Sequence, residues 1–214
     1  MAESARGVES PEVDHIHTAS KELCLDFTNT VSARGSDAAR DRLKTYADLA
    51  AWGEEAGALD GEAAAALLQE AAMDAASAER VLERAVALRE ALYRIFVAQA
   101  EGLTPSACDV DRLNAELKQA AARRRLEAGP AQYVWDWEPG GRALDQALWR
   151  VAASAADLLT SGELDRVRRC AGDECGWLFI DRSKNRSRRW CDMKECGNVA
   201  KVRRYRRRQK VEQS

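Results

Sequence analysis

Apolar residues recur at helical spacing through most of the first 160 positions. The clearest case is residues 77–101, where apolar side chains fall three or four positions apart and form one broad stripe. The pattern predicts a long helix that buries this stripe and ends at Gly102. The stripe consists of Val81, Leu82, Ala85, Leu88, Leu92, Ile95 and Phe96.

Shorter periodic segments predict four more helices. Thr45 and Asp48 have the spacing of a capping box within residues 41–57. Asp60 suits the N-cap of the following helix, because a short acceptor side chain can bind the free N–H groups of a first turn. The other two helices are predicted to start at Thr104-Pro105 and to span residues 142–160.

One segment alternates with period two instead. In residues 132–137, Tyr133, Trp135 and Trp137 fall on one side of an extended chain, which is typical of a strand. The aromatic side could stack nucleic-acid bases, but packing on the helical core is the favoured interpretation.

A short apolar run at residues 23–31 fits a helix or a strand equally well. Its polar members Asp26 and Asn29 are three positions apart and would share one face of a helix. They could line a ligand pocket, although capping of nearby backbone is the simpler role for such side chains.

The strongest chemical signal is a pair of cysteine knuckles. Cys170 and Cys175 are separated by four residues, as are Cys191 and Cys196, and each pair ends in Glu-Cys-Gly. Two such pairs on tight turns match the needs of a tetrahedral zinc site. Glycine after the second cysteine suits a turn with positive φ. Two disulfides, or four unrelated thiols, are the alternatives.

The knuckles divide the chain by charge. Residues 166–214 contain 16 Lys+Arg and 6 Asp+Glu, a balance of +10. The totals of 33 and 35 leave 17 basic and 29 acidic residues elsewhere, a balance of −12. A basic, metal-bearing segment after an acidic body indicates a polyanionic partner.

These patterns predict a mainly α protein with a small β-element. We expect an irregular N-terminus (1–20), a helical domain (21–163) that folds without the metal, and a small four-cysteine zinc module with a basic C-terminal helix (164–214). In that helix Val199, Val202 and Tyr205 recur every third position and are expected to rest on the zinc module.

Composition also indicates the cellular compartment. No apolar run approaches the roughly 18 residues of a membrane span, and the N-terminus has no signal-like apolar stretch. A cytoplasmic location is expected, and in a reducing compartment paired cysteines favour metal over disulfides. Cys24 and Cys108 have no paired spacing and are expected to be buried.

Longer motifs resemble a known family. Cys170-x4-Cys175-Gly-Trp-Leu-Phe-Ile-Asp-Arg-Ser, followed by Arg-Arg-Trp-Cys191-x-Met-x2-Cys196-Gly-Asn, resembles the CGNR-type zinc finger. Leu23-Cys-Leu-Asp-Phe-x-Asn-Thr30 and the helices after it resemble the ABATE domain that precedes this finger in bacterial stress-induced transcription regulators. The resemblance implies one structural zinc on the four cysteines and a finger that contacts nucleic acid. Val199 occupies the position of the family arginine.

The predicted function is therefore a nucleic-acid-binding regulator, with DNA favoured over RNA and a small-molecule effector as a possible input to the helical domain. Four cysteine ligands leave no open metal position, and we find no catalytic motif, so no enzyme is predicted. An adaptor for acidic protein surfaces, or a small-molecule-binding protein, is the alternative. The candidate nucleic-acid contacts are Arg182, Lys184, Arg186, Arg188, Arg189, Lys201, Arg203, Arg204, Arg206, Arg207 and Arg208.

Overall fold

Helices dominate the structure, a computed structural model that describes residues 22–129, 132–138 and 141–212. Within these ranges it describes every side chain except those at positions 204, 207, 208 and 210–212. In this described part of the chain, three two-stranded antiparallel sheets accompany the helices. The predicted mainly α architecture with small β-elements is confirmed, whereas the expectation for residues 1–20 lies outside the described part of the chain.

The elements follow one another in a simple order. The helices are α1 (Leu23–Thr28), α2 (Tyr46–Glu55), α3 (Gly61–Met73), α4 (Ala75–Ala100), α5 (Ala107–Ala121), α6 (Gln146–Thr160) and α7 (Asn198–Glu212). The strands are β1 (Val31–Ser32), β2 (Arg40–Asp41), β3 (Arg124–Ala128), β4 (Tyr133–Trp137), β5 (Val167–Arg169) and β6 (Leu178–Ile180). Strands pair β1–β2, β3–β4 and β5–β6. Among the described residues, no helix combines the length and apolar character needed to cross a membrane.

The long helix α4 forms the centre of the fold. It contacts α1, α2, α3 and α5, as well as the β5–β6 hairpin. Ala85, Leu88, Leu92 and Phe96 are fully buried, so the predicted stripe is confirmed. The helix begins two residues earlier than expected, because the carboxylate of Asp74 accepts a hydrogen bond from the Ser77 amide at 3.0 Å.

The predicted N-caps of α2 and α3 are present. Thr45 and Asp48 form the reciprocal capping box of α2, and the Asp60 carboxylate accepts a hydrogen bond from the Ala63 amide at 2.7 Å. The expected start of the first of these helices near Asp41 is wrong. Asp41 lies in β2 opposite Val31, where pairing with β1 holds the chain extended.

The two later helix starts also differ from expectation. Ser106 is the extended N-cap residue of α5, with ψ 136°, so the helix begins at Ala107 instead of Thr104-Pro105. Helix α6 begins at Gln146, and the turn before it places the Leu144 carbonyl where the Tyr46 hydroxyl donates to it at 2.8 Å.

The aromatic segment is a strand, as predicted, but most of it does not pack on the core. Trp137 stacks on Trp149 of α6, with ring centroids 6.4 Å apart. Tyr133 and Trp135 are 73% and 60% exposed, so the prediction that they pack on the helices is wrong. The aromatic contact with α6 is made at the base of the hairpin, while Tyr133 and Trp135 face solvent. The partner strand β3 was not predicted, because its sequence Arg-Arg-Leu-Glu-Ala contains only one large apolar residue.

Strand β6 contributes side chains to two separate hydrophobic cores. Its successive side chains point to opposite faces. Leu178 and Ile180 enter the main helical core together with Val167 of β5, whereas Phe179 packs among the cysteines on either side of it in the sequence. The main core therefore extends past residue 163, where we expected the helical domain to end.

A side-chain amide completes this junction. The Asn29 amide nitrogen donates to the Leu178 carbonyl, and its oxygen accepts from the Leu178 amide, both at 2.9 Å. Asn29 is 7% exposed and Leu178 is fully buried. The side chain thus pairs with β6 as a neighbouring strand would, and it joins α1 to the C-terminal segment.

Replacement of Asn29 by alanine should destabilise the whole chain. It leaves the N–H and C=O of Leu178 buried without their partner, a cost of about 2–4 kcal/mol in the free energy of unfolding. Urea titration followed by circular dichroism measures the change. The matched control Asn114→Ala, at an exposed site on α5, should change stability by less than about 0.5 kcal/mol. Equal stabilities for the two variants would contradict a coupling role for Asn29.

Candidate metal centre and nucleic-acid interface

The four predicted cysteines converge on one point. The sulfur atoms of Cys170, Cys175, Cys191 and Cys196 all lie within 4.8 Å of one another. The Cys175–Cys191 and Cys191–Cys196 sulfur pairs are 3.5 and 3.7 Å apart. Thiolates bound at about 2.3 Å around a tetrahedral zinc would lie about 3.8 Å from each other. The sulfur cage therefore has the size that zinc requires, and all six cysteines of the chain are free thiols.

The first knuckle is the turn of the β5–β6 hairpin. The Cys170 amide donates to the Trp177 carbonyl at 2.8 Å, which continues the strand ladder up to the metal site. Gly176 has φ +73°, so the predicted left-handed turn after Cys175 is confirmed. A Cβ at Gly176 would also meet the Arg34 side chain at 3.0 Å.

The second knuckle has a different local structure. A π-helical turn (Met193–Gly197) follows Asp192, whose carboxylate accepts hydrogen bonds from the amides of Lys194 and Glu195. Gly197 does not have a positive φ, so the analogy with the first knuckle is wrong here. Glycine suits this position because a Cβ would meet the Met193 sulfur at 3.1 Å.

The thiols influence one another strongly. Hydrogen bonds from the other three thiols lower the pKa of Cys170, and the amides of Gly172 and Cys191 add N–H···S contacts at 3.4 Å. Hydrogen bonds with the Cys170 and Cys175 sulfur atoms hold Cys191 and Cys196 in the thiol form and raise their pKa values, and repulsion from the Cys175 thiolate adds to this. A divalent cation relieves this repulsion and lets all four thiols ionise.

Comparison with known families agrees with this geometry. Residues 166–209 match the CGNR zinc finger, and residues 21–162 match the ABATE family, "Putative stress-induced transcription regulator". The chain belongs to the ABATE family. No curated protein matches the chain. In this ABATE protein the four cysteines of the CGNR finger bind one structural zinc ion.

The finger docks on the ABATE domain through its first knuckle. The Tyr93 hydroxyl on α4 donates to the Gly176 carbonyl at 3.0 Å. The Trp177 indole donates to the Val31 carbonyl at 3.2 Å. The guanidinium of Arg34 stacks over the Tyr93 ring at 4.0 Å and so fixes the orientation of that tyrosine.

A buried arginine supports this docking surface. Arg89 is 2% exposed and pairs with the Asp41 carboxylate at 2.6 and 2.7 Å and with Glu90 at 2.9 Å. Burial opposes its charge, but these acids outweigh burial and raise the pKa of Arg89. Glu90 also binds Arg34 at 2.7 Å, which extends the network to the finger. We did not predict this role, although position 89 lies next to Leu88 of the periodic stripe of α4.

Four of the predicted nucleic-acid contacts are held by the protein itself. Arg182 pairs with Glu22 and Glu163, and Arg186 pairs with Asp165. These contacts tie the finger to the ABATE domain and the segment after it. Two other arginines act inside the finger. Arg188 donates to the carbonyls of Trp190 and Cys191, while Arg203 of α7 pairs with Asp173 at 2.8 Å and Glu174 at 3.1 Å in the first knuckle.

Asp181 organises the basic turn between the knuckles. This fully buried carboxylate accepts hydrogen bonds from the amides of Ser183 and Arg188, each at 2.9 Å. Burial opposes its ionisation, but the hydrogen bonds with Ser183 and Arg188 prevail and lower its pKa. Asp181 thereby shapes the loop that presents the side chains between positions 184 and 189.

The remaining described candidates face solvent. Lys184, Arg189, Lys201 and Arg206 are exposed, and the Arg189 guanidinium lies 5.4 Å from the Trp190 ring. Arg204, Arg207 and Arg208 belong to α7, but their side chains lie outside the described set. Val202 and Tyr205 are 45% and 62% exposed, so the expected apolar edge of α7 does not rest on the zinc module.

The proposed pocket residues differ in surroundings. The Asn29 amide binds Leu178, as described above, and Asp26 lies on α1 beside the buried Cys24. A cavity of about 330 Å³ instead opens beside the metal site, between the finger and the ABATE domain, and the zinc ligands Cys175, Cys191 and Cys196 form part of its lining. Trp177, Val199, Glu195 and Arg203 are among the residues that line it.

The six thiols should differ sharply in reactivity. Cys108 is exposed, contrary to expectation, whereas burial raises the pKa of Cys24 to about 12. In zinc-loaded native protein we expect a thiol-specific reagent such as Ellman's reagent to modify only the exposed Cys108 rapidly. Chelation should release four more thiols, and Cys24 should react only after unfolding.

Matched serine variants test the assignment of ligands. Cys175→Ser should lower bound zinc, measured by native mass spectrometry, from one ion per chain toward none. Cys108→Ser should keep the zinc and remove only the rapid thiol. Zinc loss in the Cys108 variant, or full zinc retention in the Cys175 variant, would overturn the assignment.

Proposed function

We propose that this protein is a nucleic-acid-binding transcription regulator whose CGNR finger contacts duplex DNA. One observation carries the proposal. Helix α7 begins at Asn198, two residues after the metal ligand Cys196, so the zinc centre fixes the start of a strongly cationic helix. Structural zinc supplies the rigidity that so small a module lacks on its own.

The charge of α7 suits a polyanion. Residues 198–212 contain seven basic residues and one acidic residue. Arg203 is engaged by the acidic first knuckle and serves as the anchor of α7. The exposed Lys201 and Arg206, together with Arg204, Arg207 and Arg208, are the proposed phosphate contacts. Lys184 and Arg189 extend the basic surface onto the loop between the knuckles.

Helix geometry favours DNA over RNA. The 15 residues of α7 span about 22 Å, and an α-helix fits the major groove of B-DNA. The major groove of A-form RNA is too narrow and deep for such a helix. We further propose a cytoplasmic binding role without catalysis, because four thiolates leave no open position on the zinc.

An effector could act at the cavity between the finger and the ABATE domain. Trp177 and Val199 give the cavity an apolar wall, while Glu195 and Arg203 add charge. We propose this cavity in place of the Asp26 and Asn29 site, because the Asn29 amide already binds Leu178. A ligand there would contact α7 directly and could alter its position on the finger.

The binding of duplex DNA should depend steeply on salt. If about six phosphates are neutralised, log K should fall with log salt at a slope near −5, since each contact contributes about −0.9. Replacement of Arg206, Arg207 and Arg208 by alanine should reduce the slope by up to about three units. Fluorescence anisotropy at several salt concentrations measures this change.

A variant of equal charge serves as the control. Arg80, Arg112 and Lys118 lie on α4 and α5 of the ABATE domain, away from the finger in sequence, and their triple alanine variant should keep the original slope. If both triple variants lower the slope equally, α7 is not the contact surface. Duplex binding that ignores salt would contradict the proposal as a whole.

Restoring the family arginine at position 199 tests whether that side chain contacts a phosphate. Val199 is 51% exposed and lies one helical turn before Arg203, facing the cavity that Asp173 and Glu174 also line. In the Val199→Arg variant we expect the new guanidinium to pair with Asp173 and Glu174, as Arg203 does. The slope of log K against log salt should then stay within about half a unit of the original. Steepening by about one unit would instead identify a phosphate contact. Val199→Lys provides a charge-matched comparison.

A further inference from the structure

The β3–β4 hairpin has two chemically distinct faces. On one face Arg125 pairs with Glu127 and with Asp136, so its charges are satisfied within the hairpin. The other face is mainly aromatic and apolar. Residues opposite each other in an antiparallel ladder share a face, and this face consists of the pairs Arg124–Trp137, Leu126–Trp135 and Ala128–Tyr133.

The aromatic face is open to solvent beyond its contact with α6. Tyr133 is 73% exposed, Trp135 60% and Leu126 58%. Contiguous apolar exposure of this kind marks an interaction surface. A two-stranded hairpin is also marginally stable by itself, so a partner on this face would strengthen it.

Guanidinium groups lie against two rings of this face and against Trp149 of α6, which stacks on Trp137. The Arg124 guanidinium lies 4.9 Å from the centroid of Trp135 and 5.8 Å from that of Trp137. Arg150 approaches Trp137 from α6 at 5.8 Å, and Arg123 lies 5.3 Å from the Trp149 ring. These cation–π contacts hold the rings in place, and the Arg124 contact brings positive charge beside the exposed Trp135 ring.

The charges decide which partner fits. A second copy that met this face symmetrically would bring like-charged arginines together, which is unfavourable. A polyanion that carries flat apolar groups would instead satisfy both the Arg124 guanidinium and the exposed rings. Unpaired bases on a phosphate backbone have this chemistry.

We infer that Tyr133 and Trp135 stack unpaired nucleic-acid bases, with Arg124 placed to meet the backbone. Alternate residues of a strand lie about 7 Å apart, so each ring can take one base of an extended single strand. The inference rests on the proposed function in that nucleic acid is the partner. It adds a contact to single-stranded segments that the finger and α7 do not supply.

The test compares two ligands that differ only in their bases. The full-length protein is titrated with a labelled oligothymidylate of about 12 nucleotides and with an abasic strand of the same length. We expect tighter binding of the base-bearing strand, and Tyr133→Ala combined with Trp135→Ala should weaken that binding roughly 20-fold or more. Trp135→Phe keeps a stacking ring and should retain most of the affinity.

Exposed apolar residues elsewhere provide the control. Met73 and Leu103 are 64% and 60% exposed, and their double alanine variant should bind the base-bearing strand like the original protein. Equal affinity for the two strands, or unchanged binding by the Tyr133 and Trp135 variant, overturns the inference. The inference is also overturned if the Tyr133 and Trp135 variant loses self-association in sedimentation but keeps its strand binding, because the face would then bind a second copy of the chain.

The same measurements separate this inference from the proposed function. Salt-dependent duplex binding through α7 without any preference for bases would leave the proposed function standing and overturn the role of the hairpin. If instead binding prefers bases and depends on Tyr133 and Trp135, while duplex binding is unaffected by the arginines of α7, the role of the hairpin stands and the proposed function is overturned.

Discussion

The alternation of side chains along β6 is the constraint on which the rest of the structure depends. Leu178 and Ile180 belong to the helical core, while Phe179 lies in the small core around the cysteines. Because a shift of one residue would exchange these faces, the register of the hairpin is strongly specified. The amide of Asn29 secures it with two hydrogen bonds to the backbone of Leu178.

This junction links the ABATE domain to the metal centre over a short distance. Cys175 directly precedes the segment Gly176–Trp177 that binds Tyr93 and Val31. The knuckle that holds the zinc is thus also the part of the finger that docks. Metal binding and domain docking constrain the same few residues, so we propose that each stabilises the other.

The arginines of the C-terminal segment divide into internal and external groups. Arg182 and Arg186 bind acids that precede the finger, and Arg188 and Arg203 brace the two knuckles. Exposed ion pairs contribute little to stability, but several together can fix the orientation of so small a module. Fewer positive charges are therefore available to a partner than the formal balance of +10 indicates. The available charges concentrate on α7 and the loop between the knuckles.

The sequence by itself determined the periodic features and the metal ligands. The stripe of α4, the caps at Thr45 and Asp60, the strand at Tyr133 and the four cysteines could all be predicted, because each depends on local spacing or on the chemistry of zinc. Tertiary structure alone decided which residues meet across long separations. It assigned Asn29 to Leu178, buried Arg89 beside Asp41, exposed Trp135 and turned Arg188 and Arg203 inward. Local periodicity carries no information about such partners, since they depend on how separate elements pack together.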